Sequence, residues 1–208
     1  ASKQGVPALF IALADATSIV WGGMKTAAMV AAESYIGLVE VGVGLIPGGG
    51  GTKEFAVRAS DDFKKDGVQI PSLIDRFTTI AQAKVATSAY EAFDMGYYKV
   101  GKDLVVVNSE RQIATAKKHA LQMLDDGYTQ PTPKKVKVLG QQALGMFRVG
   151  TDSLQKGQYA SEHDKKIANK LGYIMAGGDL SEPTYVSEQY LLDLEREAIL
   201  SLLGERKT

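Results

Sequence analysis

Glu40 lies in the run Gly37-Leu38-Val39-Glu40-Val41-Gly42, a carboxylate set among apolar and small residues. Such surroundings disfavour the charged form, so its pKa is expected to rise toward the range useful for acid–base chemistry. Downstream, Pro47-Gly48-Gly49-Gly50-Gly51 leaves backbone N–H groups unshielded by side chains. A loop of this kind running into a helix can hold a water, an anion or a developing negative charge. A carboxylate and open amides at one cleft are the parts that activate water against a polarised double bond. On the residues alone two plainer readings stay open: a structural or solvated glutamate, and a glycine run that serves as a flexible turn. A phosphate-binding loop is not matched, because that motif ends in Gly-Lys-Ser/Thr and the order here is Gly51-Thr52-Lys53.

The elements that must position these residues follow from the pattern of apolar and breaker positions. Tyr35 to Val43 alternates glycine with apolar and β-branched residues and predicts short, tightly packed strands. After the break at Pro47–Gly51, a helix is predicted to open at Thr52 and run toward Arg58, with the polar stretch Asp61 to Gly67 as an exposed loop. Ser72 to Ala83 places Leu73, Ile74, Phe77 and Ile80 on one helical face. Ser88 to Met95 reads as a short helix closed by Gly96, Leu104 to Val107 as a strand, and Glu110 to Leu124 as an amphipathic helix. Thr129 to Pro133 is rich in turn residues and marks a subdomain boundary. Beyond it three helices are predicted, at about Gln141–Lys156, Ser161–Met175 and Ser187–Leu203. Ser161 with Asp164 supplies a capping pair, Gly177-Gly178 a stop, and Ser187 precedes the apolar series Leu191, Leu194, Ala198, Leu202. The fold class expected is therefore α/β, with a domain over 1–128 and a helical extension over 129–208.

Composition narrows the function classes. Lys+Arg and Asp+Glu both total 24 in a chain of 208 residues, which removes the basic footprint of a dedicated nucleic-acid binder. There is no cysteine, so thiol catalysis, disulfides and thiolate metal sites are excluded, and a cytoplasmic location fits. The apolar stretch Val6 to Val20 contains Asp15 and is shorter than the ~20 residues that a membrane span needs; it reads as buried core. His119 beside Lys117 and Lys118 reads as solvated, and His163 has no ligand partner at metal spacing. Lys134, Lys135 and Lys137 read as an exposed strand or loop, with contact to ligand phosphates or an anionic surface as the functional alternative. Tyr97, Tyr98 and Trp21 read as core or interface aromatics.

The segment from Ala32 to Thr52, with Ala32-Glu33, Ile36-Gly37-Leu38, Glu40-Val41 and Gly44-Leu45-Ile46-Pro47-Gly48, resembles the signature of the crotonase (enoyl-CoA hydratase/isomerase) superfamily. Ala89-Tyr90-Glu91-Ala92 with Gly96 is similar to the helix that follows that signature. Val186 to Glu197 resembles the C-terminal end of bacterial bifunctional fatty-oxidation proteins, in which a 3-hydroxyacyl-CoA dehydrogenase precedes a hydratase. The resemblance spans roughly residues 28–208 and implies a partial crotonase-type fold in the N-terminal part.

That resemblance implies hydration of a trans-2-enoyl-CoA thioester to a 3-hydroxyacyl-CoA, with Glu40 as one of two catalytic glutamates and Gly48 as the glycine whose amide holds the water. It further implies an acyl-CoA substrate, no cofactor in this chain, NAD only for a dehydrogenase domain elsewhere, and assembly as a homo-oligomer or with the rest of a bifunctional protein. The position of the first glutamate falls on Val20, and the nearest glycine stretch, Trp21-Gly22-Gly23-Met24-Lys25, carries lysine where the glutamate belongs. The resemblance implies one oxyanion amide from that glycine stretch and another from a strand–loop further upstream, for which the sequence has no counterpart, and the dinucleotide fingerprint is also missing. The competing readings are another reaction of the superfamily, enoyl-CoA isomerisation, and a helical assembly module without chemistry.

Overall fold

Two compact units divide the chain, and each is discontinuous in sequence: one takes residues up to 37 together with 85–132, the other 38–84 together with 133–208. The structure, a computed structural model, describes residues 29–31, 35–66, 69–129 and 132–203. The readings made on Val6–Val20, Trp21 and the 21–25 stretch lie outside the described residues. The architecture is α/β and mostly helical, with short strands.

In the first unit, β1 (Met29–Ala31) pairs in parallel with β4 (Leu104–Val106), and β2 (Ile36–Gly37) pairs antiparallel with β3 (Val85–Ala86). Helix α3 (Ala89–Asp94) starts because Ser88 is extended and its Oγ accepts from the Glu91 N–H at 3.2 Å. Glu91 returns the favour one residue earlier, accepting from the Thr87 N–H at 2.6 Å and from its hydroxyl at 2.7 Å. Those bonds hold the Glu91 carboxyl below its usual pKa. Tyr97 and Tyr98 are buried, the latter tilted against Phe93 at 5.6 Å between ring centroids. Helix α4 (Gln112–Asp125) has no buried residue, and Ile113 and Leu124 of its predicted apolar face lie exposed.

The second unit holds α1 (Gly51–Asp66), α2 (Ile70–Ala81), β5 (Lys135–Val138), α5 (Gln141–Lys156), α6 (Glu162–Ala176), β6 (Thr184–Ser187) and α7 (Glu188–Leu203). Helix α1 continues through the segment expected to be a loop. The reason is its buried stripe: Phe55, Ala56, Ala59 and Phe63 repeat at helical spacing, so Asp61 and Asp62 lie beside a core residue rather than beyond the helix. Helix α2 starts two residues earlier than expected because Pro71 suits its first turn. Leu73 and Ile80 are buried and Phe77 stacks on Phe147 of α5 at 4.3 Å, whereas Ile74 turns toward solvent.

Helices α5 and α6 pack closely where Gly172 lies against Phe147; a Cβ there would meet the ring at 3.0 Å. Helix α6 opens with the full capping box of Ser161 and Asp164 and stops at Gly177, which takes the left-handed conformation. It buries Ile167, Leu171, Ile174 and Met175, one stripe at i, i+4, i+7 and i+8. β5 and β6 form an antiparallel ladder with Val136 opposite Val186, and Val136 and Val138 face the core while Lys135 is exposed. The lysine-rich strand is thus anchored by its alternate valines.

Gly140 joins β5 to α5 at φ +56° and ψ −136°, a conformation open to glycine only. Its N–H donates to the Ala176 carbonyl and the next N–H to the Leu180 carbonyl, both at 2.8 Å. A Cβ on residue 140 would fall on the Leu180 carbonyl oxygen, which is backbone and cannot swing away. Gly140→Ala is therefore expected to destabilise the chain by about 2–4 kcal/mol. Urea unfolding checks this, and a midpoint equal to that of the parent chain refutes it.

Candidate functional site

Glu40 begins a single 3-10 turn, Glu40–Val43, in place of the strand expected there. The turn is closed by Gly44, left-handed at φ 88°, whose N–H reaches back to the Glu40 and Val41 carbonyls. Glycine is needed at this point because the left-handed region strains other residues. Glu40 is half-buried. The chain then descends through the buried Ile46 and Pro47 into the glycine run, and Gly51 begins α1.

The amides at the start of α1 are already engaged. Glu195, on α7, is only 2% exposed and aims its carboxylate at them. One oxygen accepts from the Gly50 N–H at 2.6 Å and the other from the Lys53 N–H at 3.0 Å. A helix N-terminus carries partial positive charge and unpaired donors, so a carboxylate there satisfies both. The anion that the glycine run can hold is thus supplied by the protein itself.

Charged groups surround this contact. Lys53 is buried, and its Nζ lies 3.3 Å from both Glu54 and Glu188. Arg58 is buried and pairs with Glu54 at 3.3 Å, one helical turn on. Burial pushes the Glu195 carboxyl up to about 7, and the negative charge of Glu40 adds to the rise. The two backbone donors and Lys53 oppose it without cancelling it. The negative charge of Glu40 is thus felt at Glu195.

Gly48 is exposed on the surface of that turn, and its hydrogen-bearing side faces α7: a Cβ there would lie 2.5 Å from the Ile199 Cδ1. A Cβ at Gly51 would lie 2.6 Å from Leu38. The small residues let α7 and the Leu38 strand end approach the turn closely. Sequence reasoning paired Glu40 with Gly48 and missed Glu195. The signal was present, since Leu191, Leu194, Ala198 and Leu202 put position 195 on the same buried face of α7. A charged residue on an apolar stripe demands a partner.

Among the described residues no group of His, Cys, Asp and Glu, with His119 and His163 included, could hold a metal ion. Among the described residues no helix is long and apolar enough to cross a membrane.

No protein-family model matches the chain. Over 178 residues it is 43% identical to the "Probable 3-hydroxyacyl-CoA dehydrogenase" of Bacillus subtilis (strain 168), a match covering 86% of this chain and 22% of that protein. The chain thus spans about a fifth of the length of the curated relative it matches. The relative is named for an oxidation, which makes it an oxidoreductase. The expectation of a crotonase-type hydratase, and with it the assignment as a lyase, is corrected by this finding, because nothing in the relative's name speaks for hydration. The hydratase assignment rested on the glycine-rich signature from Ala32 to Thr52, whereas the match to the dehydrogenase runs along 86% of the chain.

Removing the Glu195 carboxylate leaves two donors unpaired in a buried place. Glu195→Ala is expected to cost about 3 kcal/mol of stability. Glu195→Gln should cost less, because its amide oxygen still accepts one of the two N–H groups. Chemical denaturation of both variants tests the order; equal stability of Glu195→Ala and the parent chain would sink the capping role.

Proposed function

We propose that this chain is a segment of a 3-hydroxyacyl-CoA dehydrogenase, a protein that oxidises the 3-hydroxyl of a 3-hydroxyacyl-CoA thioester in fatty-acid metabolism. The observation that carries the reading is the 43% identity over 178 residues. The reaction removes a proton from the hydroxyl oxygen and a hydride from C3, leaving a 3-ketoacyl-CoA. A nicotinamide cofactor is the acceptor that such chemistry calls for.

The glycine run leading into α1 is a poor match for the pyrophosphate of that cofactor. A dinucleotide needs the first amides of a helix free for its pyrophosphate. At the glycine run leading into α1, the Gly50 and Lys53 amides are bonded to Glu195. A pyrophosphate there would displace a carboxylate or sit against it. The nicotinamide site is therefore proposed to lie outside this segment. Within the segment, Glu40 is the residue proposed to handle protons, being half-buried and carrying a negative charge that Glu195 feels. Gly48 is proposed to give α7 its close approach to the turn.

The longer protein that contains this segment is expected to reduce NAD when given 3-hydroxybutyryl-CoA, followed by the absorbance of reduced nicotinamide. The 208-residue chain by itself is expected to show no NAD binding in calorimetry. Absence of any oxidation by the longer protein overturns the proposed activity. Tight NAD binding by the chain alone overturns the placement of the cofactor site.

A further inference from the structure

Glu195 is a buried carboxylate that belongs to no assigned reaction, and its surroundings make both of its protonation states accessible. Ionised, it satisfies the Gly50 and Lys53 N–H groups together and sits at the positive end of α1. Protonated, it escapes the penalty of a charge that is 2% exposed, but one oxygen becomes a donor and can no longer serve its N–H as before. The groups that face it divide evenly in sign. From the 3-10 turn, Glu40 disfavours the charge; from α1, Lys53 favours it. Around Lys53 stand Glu54 and Glu188, with Arg58 on Glu54, so the cation that would stabilise Glu195 is shared among three carboxylates.

We propose that Glu195 is a proton-binding site that couples α7 to the Pro47–Gly51 turn, holding the turn by two N–H bonds when ionised and by one when protonated. Uptake of a proton loosens the Gly50 or Lys53 amide and alters the field at Glu40, which the same descending segment carries. The consequence is a pH-dependent setting of the one stretch in this unit that joins a half-buried carboxylate to a glycine turn. It does not depend on the oxidoreductase reading, and either can fail alone.

The linkage follows from the raised value. Relative to an ordinary carboxyl at 4.5, Glu195 pushed up to about 7 keeps its proton in the folded chain after the unfolded chain has released it. Its contribution to stability is full below about 4.5 and is lost as pH rises through about 7.

The test is a pH series of amide spectra on the isotope-labelled full chain, with Gly50 and Lys53 as reporters. Both amides are expected to move together with one midpoint near 7, and Glu195→Gln to abolish the movement. Glu40→Gln, which removes the like charge, is expected to lower the midpoint. Gly50 and Lys53 amides that stay flat around neutrality overturn the proposal, as does an inflection that survives Glu195→Gln. An unchanged midpoint in Glu40→Gln removes the coupling to Glu40. If Glu195→Gln fails to fold, the parent and Glu40→Gln series still decide the matter.

Discussion

The second unit is organised by one contact between a helix side and a helix end. Glu195 leaves the apolar stripe of α7 to close the N-terminus of α1, bonding Gly50 and Lys53 across 145 and 142 positions of sequence. A charge in that place is costly unless its bonds are made, so α7 is confined to one rotation and one height on α1. Leu191, Leu194, Ala198 and Leu202 can then enter the core, and Ile199 reaches Gly48. Hydrophobic burial supplies most of the attraction, but it is non-directional. The carboxylate supplies the register.

The first unit is held by shorter-range means. Ser88, Thr87 and Glu91 close a capping arrangement within five residues, and Ala86, Ala89 and Ala92 bury completely beneath it. The residues that made this helix resemble a family motif are those that start and seat it. A Glu at the third helical position next to a Ser cap is a local solution that many helices reach, so it informs on fold start rather than on chemistry. The two-strand ladders on either side are too short to specify a fold by themselves.

What the sequence made legible follows the same division. Helices that open on a serine cap are placed within a residue or two, α6 after Ser161 and α7 after Ser187, and the apolar spacing alone places α5 at Gln141–Lys156. Their signals are local, so neighbouring residues suffice. The polarity of Asp61 to Gly67 predicts a loop, but the buried Phe63 ties the segment to the core and the helix runs on to Asp66. The alternation of glycine and β-branched residues over Tyr35–Val43 predicts strands, and Ile36–Gly37 is one; from Glu40 the backbone instead makes a 3-10 turn closed by the left-handed Gly44. In the candidate site, Glu40 and the glycine run were visible, whereas Glu195 was not, because its partners are remote in sequence.

That omission changes what a glycine run before a helix can be taken to mean. Exposed amides at a helix start attract negative charge whatever its source. When the anion is a ligand, the run marks a binding site; when it is an internal carboxylate, the same run marks a packing joint. The two cases differ at a position that the run does not contain. Here the deciding residue is a glutamate on the buried face of the last helix, lined up with Leu191, Leu194, Ala198 and Leu202. A charged residue in phase with an apolar stripe requires hydrogen-bond partners, and here these are the Gly50 and Lys53 amides at the start of α1. Following such a residue to its donors is a sounder route to the role of the turn than matching the turn itself.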